Sequence, residues 1–173
     1  NSAWNQYRDL ATWLTYFLIN IDISNFHNKN EFLEIISFSL EKMSAEKRYC
    51  LAINPGATST KASVYDGETE VFTENIKHPI EEIKQFAEIA DQFDYRKNTI
   101  LDMLKKHDVD VKDIAIVVGR GGLTKPCESG IYRVNDKMLE ECRAGIQGKH
   151  ACNLGSLIAD SIAKEIGLEA SYI

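Results

Sequence analysis

The pattern of apolar and polar positions divides the chain into two unlike stretches. Residues 1–42 hold both tryptophans, Trp4 and Trp13, an apolar patch from Trp13 to Ile19, and a polar stretch from Asn25 to Asn30. Phe32, Ile35, Ile36 and Leu40 recur near helical spacing and predict a short amphipathic helix over 31–42. From Tyr49 the pattern sharpens. Tyr49 to Asn54 is a short apolar run, read as a buried strand, and Pro55 to Ser59 is a turn-forming cluster. Thr60 to Tyr65 alternates, with Lys61 and Ser63 opposite Ala62 and Val64, as a strand should. Asp66-Gly67 predicts a tight hairpin into a third strand near Val71 to Ile76.

Helical spacing takes over next. Pro79 suits the first residue of a helix whose face carries Ile80, Ile83, Phe86, Ile89 and Ala90. A second helix is predicted over Tyr95 to His107, with Ile100, Leu101 and Leu104 inward. Ile114 to Val118 reads as a buried strand ending at Gly119-Arg120-Gly121-Gly122, and Ile131 to Val134 as a short one. Asn135 can cap a helix through Met138, Leu139 and Cys142. A last helix runs from about Ala151 to Ile166, stopped by Gly167. This order predicts an α/β fold: a mixed sheet that opens with antiparallel strands, helices packed on it, not a doubly wound parallel sheet.

The expected organisation is a segment 1–42 followed by a domain over 43–173. The first segment is either upstream material preceding a start at Met43 or an N-terminal extension. The chain opens without Met and stops within the apolar run Ala170 to Ile173, so a piece of a longer protein is expected. Composition narrows the function. With 173 residues, 44% apolar and 27% charged, the chain is of ordinary globular type. A formal net charge of −6 argues against nucleic acid or an anionic membrane as the main partner. It does not oppose a local phosphate site, which backbone N–H groups and one or two cations can build. The patch at Trp13 to Ile19 is shorter than the roughly 18–20 residues that span a bilayer. It also lacks the flanks of a signal peptide. Cys50, Cys127, Cys142 and Cys152 form no C-x-x-C pair, and reduced thiols in a cytoplasmic protein are expected. The alternative for Cys152, two residues after His150, is a reactive thiol.

Three motifs can carry chemistry. Asn54-Pro55-Gly56-Ala57-Thr58-Ser59-Thr60-Lys61 is a turn whose N–H groups and hydroxyls can converge on a phosphate, with Lys61 adding charge. It is not a G-x-x-x-x-G-K-[ST] loop, and a plain hairpin is the alternative. Arg120, between glycines at a strand's C-terminal end, offers a fork suited to a carboxylate or phosphoryl group, with Gly121 and Gly122 beside it. The alternative is a solvated arginine in a glycine-rich turn. His150 and Asn153 sit at a helix start, where anions are favoured. His150 can donate to a phosphoryl oxygen and Asn153 can orient it. Alternatively, His150 is a cap and Asn153 a buried structural amide. His27, His78 and His107 have no such setting and are expected at the surface.

Taken together, "INPGATSTK", "DQFDYRKNTIL", "VVGRGG", "GIYRVNDKML" and "GKHACNLG" resemble the butyrate kinase family, relatives of acetate kinase, from about Tyr49 to Ile173. The resemblance implies a ribonuclease-H-like sheet, the first domain of an actin-like, sugar-kinase ATPase fold. It implies ATP/ADP and Mg²⁺ as cofactors, butyrate or butyryl phosphate as substrate, and a homo-oligomeric full-length protein. It places Asn54, Gly56, Thr58, Ser59, Thr60 and Lys61 at the phosphoryl or metal-bound end of ATP, with Asn54 reaching Mg²⁺ through water. Arg120, Gly121, Gly122 and Asn153 fall on the acyl side, and His150 on the transferring phosphoryl. Other carboxylate kinases, or a non-catalytic actin-like nucleotide-binding module, are the alternatives. The sequence departs from the family pattern at Ala57, at the polar Thr124 to Gly130, and at Cys152, where a serine is expected. The resemblance also puts the adenosine-binding domain beyond Ile173, so the 173-residue chain alone is expected to be nearly inactive.

Overall fold

The computed structural model describes residues 48–173. The segment 1–42, with its expected helix, lies outside them. The described residues build a sheet of four strands in the order β3-β2-β1-β4. Strands β1 (Tyr49–Pro55), β2 (Ser59–Asp66) and β3 (Thr69–Lys77) form an antiparallel meander, and β4 (Ile114–Gly119) pairs parallel to β1. The sheet is therefore mixed, as the strand order predicts. Gly67 turns the β2–β3 hairpin with φ 60°, a left-handed value that glycine reaches without a Cβ penalty.

A parallel strand needs a crossover, and here α2 (Phe93–Lys106) supplies its helix. After β4 come α3 (Asp136–Ala144) and α4 (Leu154–Glu165). Asn135 caps α3 as expected, its Oδ1 accepting from Met138 N at 2.9 Å. Leu51, Ile53, Ala62, Val64 and Val117 share the sheet face on which Ile100, Leu104, Leu157, Ile158 and Ile162 close the core. Tyr172 extends the sheet beyond β4 through Tyr172 N to Val117 O at 3.1 Å and Gly119 N to Tyr172 O at 2.8 Å. Among the described residues no helix is long and apolar enough to cross a membrane.

Two expectations need correction. The helix expected from Pro79 to Ala90 is only α1, Ile80–Ile83, and buries no residue. Ile80 stays 53% exposed, so burial does not reward a longer helix there. The chain instead bends through Ala90–Gln92, a single 3₁₀ turn, into α2. The strand expected at Ile131 to Val134 reduces to one bridge, Arg133 to Tyr172. Strand β2 also departs from simple alternation. Ser63 and Tyr65, on the face opposite the helical core, are buried as well, and Thr73 Oγ1 donates to Ser63 Oγ at 2.7 Å.

Candidate active site

The turn between β1 and β2 is closed by one short backbone bond, Gly56 N to Ser59 O at 2.7 Å. Ala57 and Thr58 stand exposed at its tip. Period-two geometry then sorts the residues that follow. Thr60, Ala62 and Val64 point to the helical core, and Lys61 to the other face. Thr60 is therefore 0% exposed and does not face a ligand, which corrects its place in the expected phosphate-binding set. Its hydroxyl accepts from Arg96 Nη1 at 3.0 Å and lies 2.8 Å from His78 Nε2.

Arg96 and His78 are the residues that sequence reasoning missed. Both are buried, at 0% and 3% exposure, so the surface position expected for His78 is wrong. Arg96 also donates to Ser59 O at 3.1 Å, to Ala57 O at 3.0 Å and to Gln92 Oε1 at 3.0 Å. His78 N donates to Thr58 O at 2.9 Å, and His78 Nδ1 meets Tyr95 Oη at 3.3 Å. Tyr95 in turn donates to Glu82 Oε2 at 2.7 Å. The turn thus rests on a buried polar network from the start of α2.

Burial, helped by the positive charge of Arg96, pushes His78 down from its ordinary 6.5 to about 4. Between those values the unfolded chain takes up a proton that the folded chain refuses. This contribution to stability is complete above about 6.5 and declines as pH falls towards 4, by on the order of 3 kcal/mol. Urea midpoints measured against pH should show this decline, and His78→Gln should lack that share of the slope. Equal slopes for the two proteins would exclude His78 as the titrating group.

In front of the network lies a row of polar side chains. Asn54 is paired with Lys61 across the antiparallel β1–β2 ladder, which puts both side chains on one face. On its other side β1 runs parallel to β4, with Ile53 opposite Gly119 and Arg120 N bonded to Ile53 O at 2.7 Å. Arg120 Nη1 then reaches Asn54 Oδ1 at 3.4 Å. Lys61, Asn54 and Arg120 therefore stand side by side on neighbouring strands. Residues from the first two motifs meet here. A groove of about 580 Å³ opens from Arg120 and Gly122 past Pro126, Tyr132 and Met138 to Ile173.

The glycines of the second and third motifs have a packing role that spacing did not reveal. An ideal Cβ on Gly119 would lie 2.3 Å from Gly155 O, and one on Gly155 2.2 Å from Arg120 O. A Cβ on Gly122 would lie 2.8 Å from Asn153 Cα. Backbone meets backbone where the end of β4 crosses the start of α4. Asn153 is 3% exposed and spends its amide on this junction, accepting from Leu123 N at 2.8 Å and donating to Gly148 O at 2.8 Å. It is a structural amide rather than an acyl contact. Gly121 is exposed beside Arg120, with open space where a Cβ would be.

His150 is exposed, and its hydrogen bonds run to Cys152 rather than to Asn54, Lys61 or Arg120. Its Nδ1 accepts from Cys152 N at 3.2 Å and lies 3.0 Å from Cys152 Sγ. An accepting Nδ1 leaves the proton of neutral imidazole on Nε2, where it can be donated outward. Cys152 is itself close to Arg120: burial pushes its thiol up, and the guanidinium charge pulls it back down. A raised thiol opposes the reactive-cysteine reading. His150 also lines a smaller hollow, about 270 Å³, with Arg143, Asp91 and the ion pair Lys149–Glu88.

These features define a class: a mixed α/β domain with a cationic, polar row where the parallel strands β1 and β4 end. No family model matches the chain. Over 123 residues, 71% of the chain, it is 54% identical to butyrate kinase 1 of Clostridium acetobutylicum. Over the same length it is 50% identical to a probable butyrate kinase of Clostridium botulinum and 48% identical to butyrate kinase 2 of Clostridium acetobutylicum. These three relatives are named as butyrate kinases or a probable butyrate kinase, and the chain spans 35% of the length of each.

Proposed function

We propose that the full-length protein is a short-chain carboxylate kinase that catalyses butyrate + ATP ⇌ butyryl phosphate + ADP, and that 48–173 form the ribonuclease-H-like first domain of an actin-like ATPase fold. The observation that carries this reading is the row Lys61–Asn54–Arg120 beside the exposed turn Gly56–Ser59. Homologues named as butyrate kinases support it, as does the meander-first mixed sheet.

Phosphoryl transfer needs positioning and neutralisation of charge more than covalent help. A carboxylate oxygen of the acid attacks the terminal phosphorus, and the bond from that phosphorus to the ADP oxygen breaks. Arg120 holds the carboxylate in its fork at the mouth of the groove, whose walls at Pro126, Tyr132, Met138 and Ile173 suit a short alkyl chain. The N–H groups of Ala57 and Thr58, the hydroxyls of Thr58 and Ser59, and Lys61 surround the phosphates. His150 donates from Nε2 to a phosphoryl oxygen.

Mg²⁺ would neutralise phosphate charge when bound. Among the described residues no group of three His, Cys, Asp or Glu could hold a metal. Asn54 would hold the ion through water by its amide oxygen, the same atom that Arg120 Nη1 reaches at 3.4 Å. Mg²⁺ tolerates this because it keeps several waters.

The test is direct. Full-length protein with ATP, Mg²⁺ and hydroxylamine should form an acyl hydroxamate from butyrate, and less from acetate. A missing methylene is worth only about 1–3 kcal/mol, so the preference should be graded rather than absolute. ATP binding without hydroxamate from acetate, propionate, butyrate or isobutyrate would leave a nucleotide-binding module instead.

A further inference from the structure

Behind the candidate phosphate turn sits a buried cation with no acidic neighbour bonded to it. The acceptors of Arg96 are the Ala57 and Ser59 carbonyls, the Thr60 hydroxyl and the Gln92 amide oxygen, all neutral. Among the described residues no carboxylate is hydrogen-bonded to Arg96 or within 4.0 Å of it as an ion pair. Charges buried this deeply are usually paired, because desolvation without a counter-charge is costly. The network leads on to Glu82, but only through Thr60, His78 and Tyr95.

Peptide geometry shows what the arrangement does. A trans peptide is planar, and its C=O and N–H point in opposite directions. The described residues contain no cis bond. With the Ala57 carbonyl fixed on Arg96, the Thr58 N–H is turned to the outer side of the turn. Neither the Thr58 nor the Ala57 N–H has a protein acceptor among the described residues, and both residues are exposed. Donation from a cation to the carbonyl also polarises the peptide and strengthens its N–H as a donor.

We propose that Arg96 is a positioning residue for the phosphate turn: it sets the Ala57–Thr58 peptide so that its N–H faces the nucleotide phosphates, and supplies from behind a positive field that those phosphates neutralise. This rests on the kinase reading and adds a residue outside the three motifs. Arg96→Lys keeps the charge but replaces the fork with a point donor that cannot bridge the turn.

The experiment compares full-length wild type, Arg96→Lys and Arg96→Met. ADP–Mg²⁺ affinity is read by calorimetry, KM for ATP and for butyrate by hydroxamate formation, and folding by the melting temperature. For Arg96→Lys, ADP should bind about fivefold to tenfold more weakly, and KM for ATP should rise in step while KM for butyrate holds. Arg96→Met should lose more affinity, or fail to fold, in which case the lysine variant alone decides. Wild-type ADP affinity in folded Arg96→Lys overturns the proposal. So do equal rises in both KM values, or a lowered melting temperature with unchanged ADP binding, either of which marks a purely structural arginine. If wild type forms no acyl phosphate, the kinase reading fails by itself, while the ADP comparison still tests Arg96.

Discussion

Arg120→Ala in the full-length protein is expected to lower kcat/KM for acyl-phosphate formation by about a hundredfold to a thousandfold, or roughly 3–4 kcal/mol of transition-state stabilisation. The side chain reaches Asn54 across the β1–β4 junction and opens the groove proposed for the acid. If its fork holds the carboxylate and gains a phosphoryl oxygen as the new bond forms, KM for butyrate should rise and turnover should fall. ADP affinity should change by less than about threefold, because the candidate phosphate turn is held by other residues. Arg120→Lys should restore little, since a point charge lacks the planar fork. Hydroxamate trapping and ADP calorimetry on the same preparations read both quantities. A variant with full turnover would remove Arg120 from the chemistry.

Gly155→Ala should be strongly destabilising despite its small size. In most helices alanine in place of glycine is stabilising by up to about 1 kcal/mol. Here the sign reverses, because the new Cβ would lie 2.2 Å from the Arg120 carbonyl oxygen, a backbone atom that cannot swing away. Strand β4 and helix α4 must part, and the core of Leu51, Ile53, Val117 and Ile158 opens with them. A net loss of about 3 kcal/mol or more is expected, at the upper end of overpacking costs. Because the carbonyl struck belongs to Arg120, acyl-phosphate formation should fall with stability. Thermal melts of wild type and variant check this, and a melting temperature at or above wild type would contradict the interlocked junction.

The parts of this molecule that were legible in the sequence are those governed by neighbours along the chain. Turn chemistry located the Pro55–Ser59 and Asp66–Gly67 hairpins, and with them the antiparallel opening of the sheet. The Asn135 cap was likewise a local matter. The helix expected from Pro79 failed because its apolar face has little to pack against, which depends on partners distant in sequence.

The candidate site divides in the same way. Lys61 and Asn54 were named from their motif, but their shared face follows from register. Thr60 was misplaced although the signal was present: it has the parity of Ala62 and Val64, and Lys61 has the opposite one. Arg96 was readable too. It falls on the α2 stripe with Ile100, Met103 and Leu104, at helical spacing, where a charge in an apolar row marks a buried guanidinium. The close approach of Gly119 and Gly155 had no local signal, because those residues meet only through tertiary packing.

A double-mutant cycle on Asn54→Ala and Arg120→Ala, read as kcat/KM for acyl-phosphate formation by the full-length protein, probes the convergence of these residues most directly. Groups that act on one phosphoryl transfer from neighbouring strands should couple, so the double variant should lose less than the sum of the single losses, by about 1 kcal/mol or more. Losses that add to within about 0.3–0.5 kcal/mol, or a single variant with undiminished activity, would contradict a shared site.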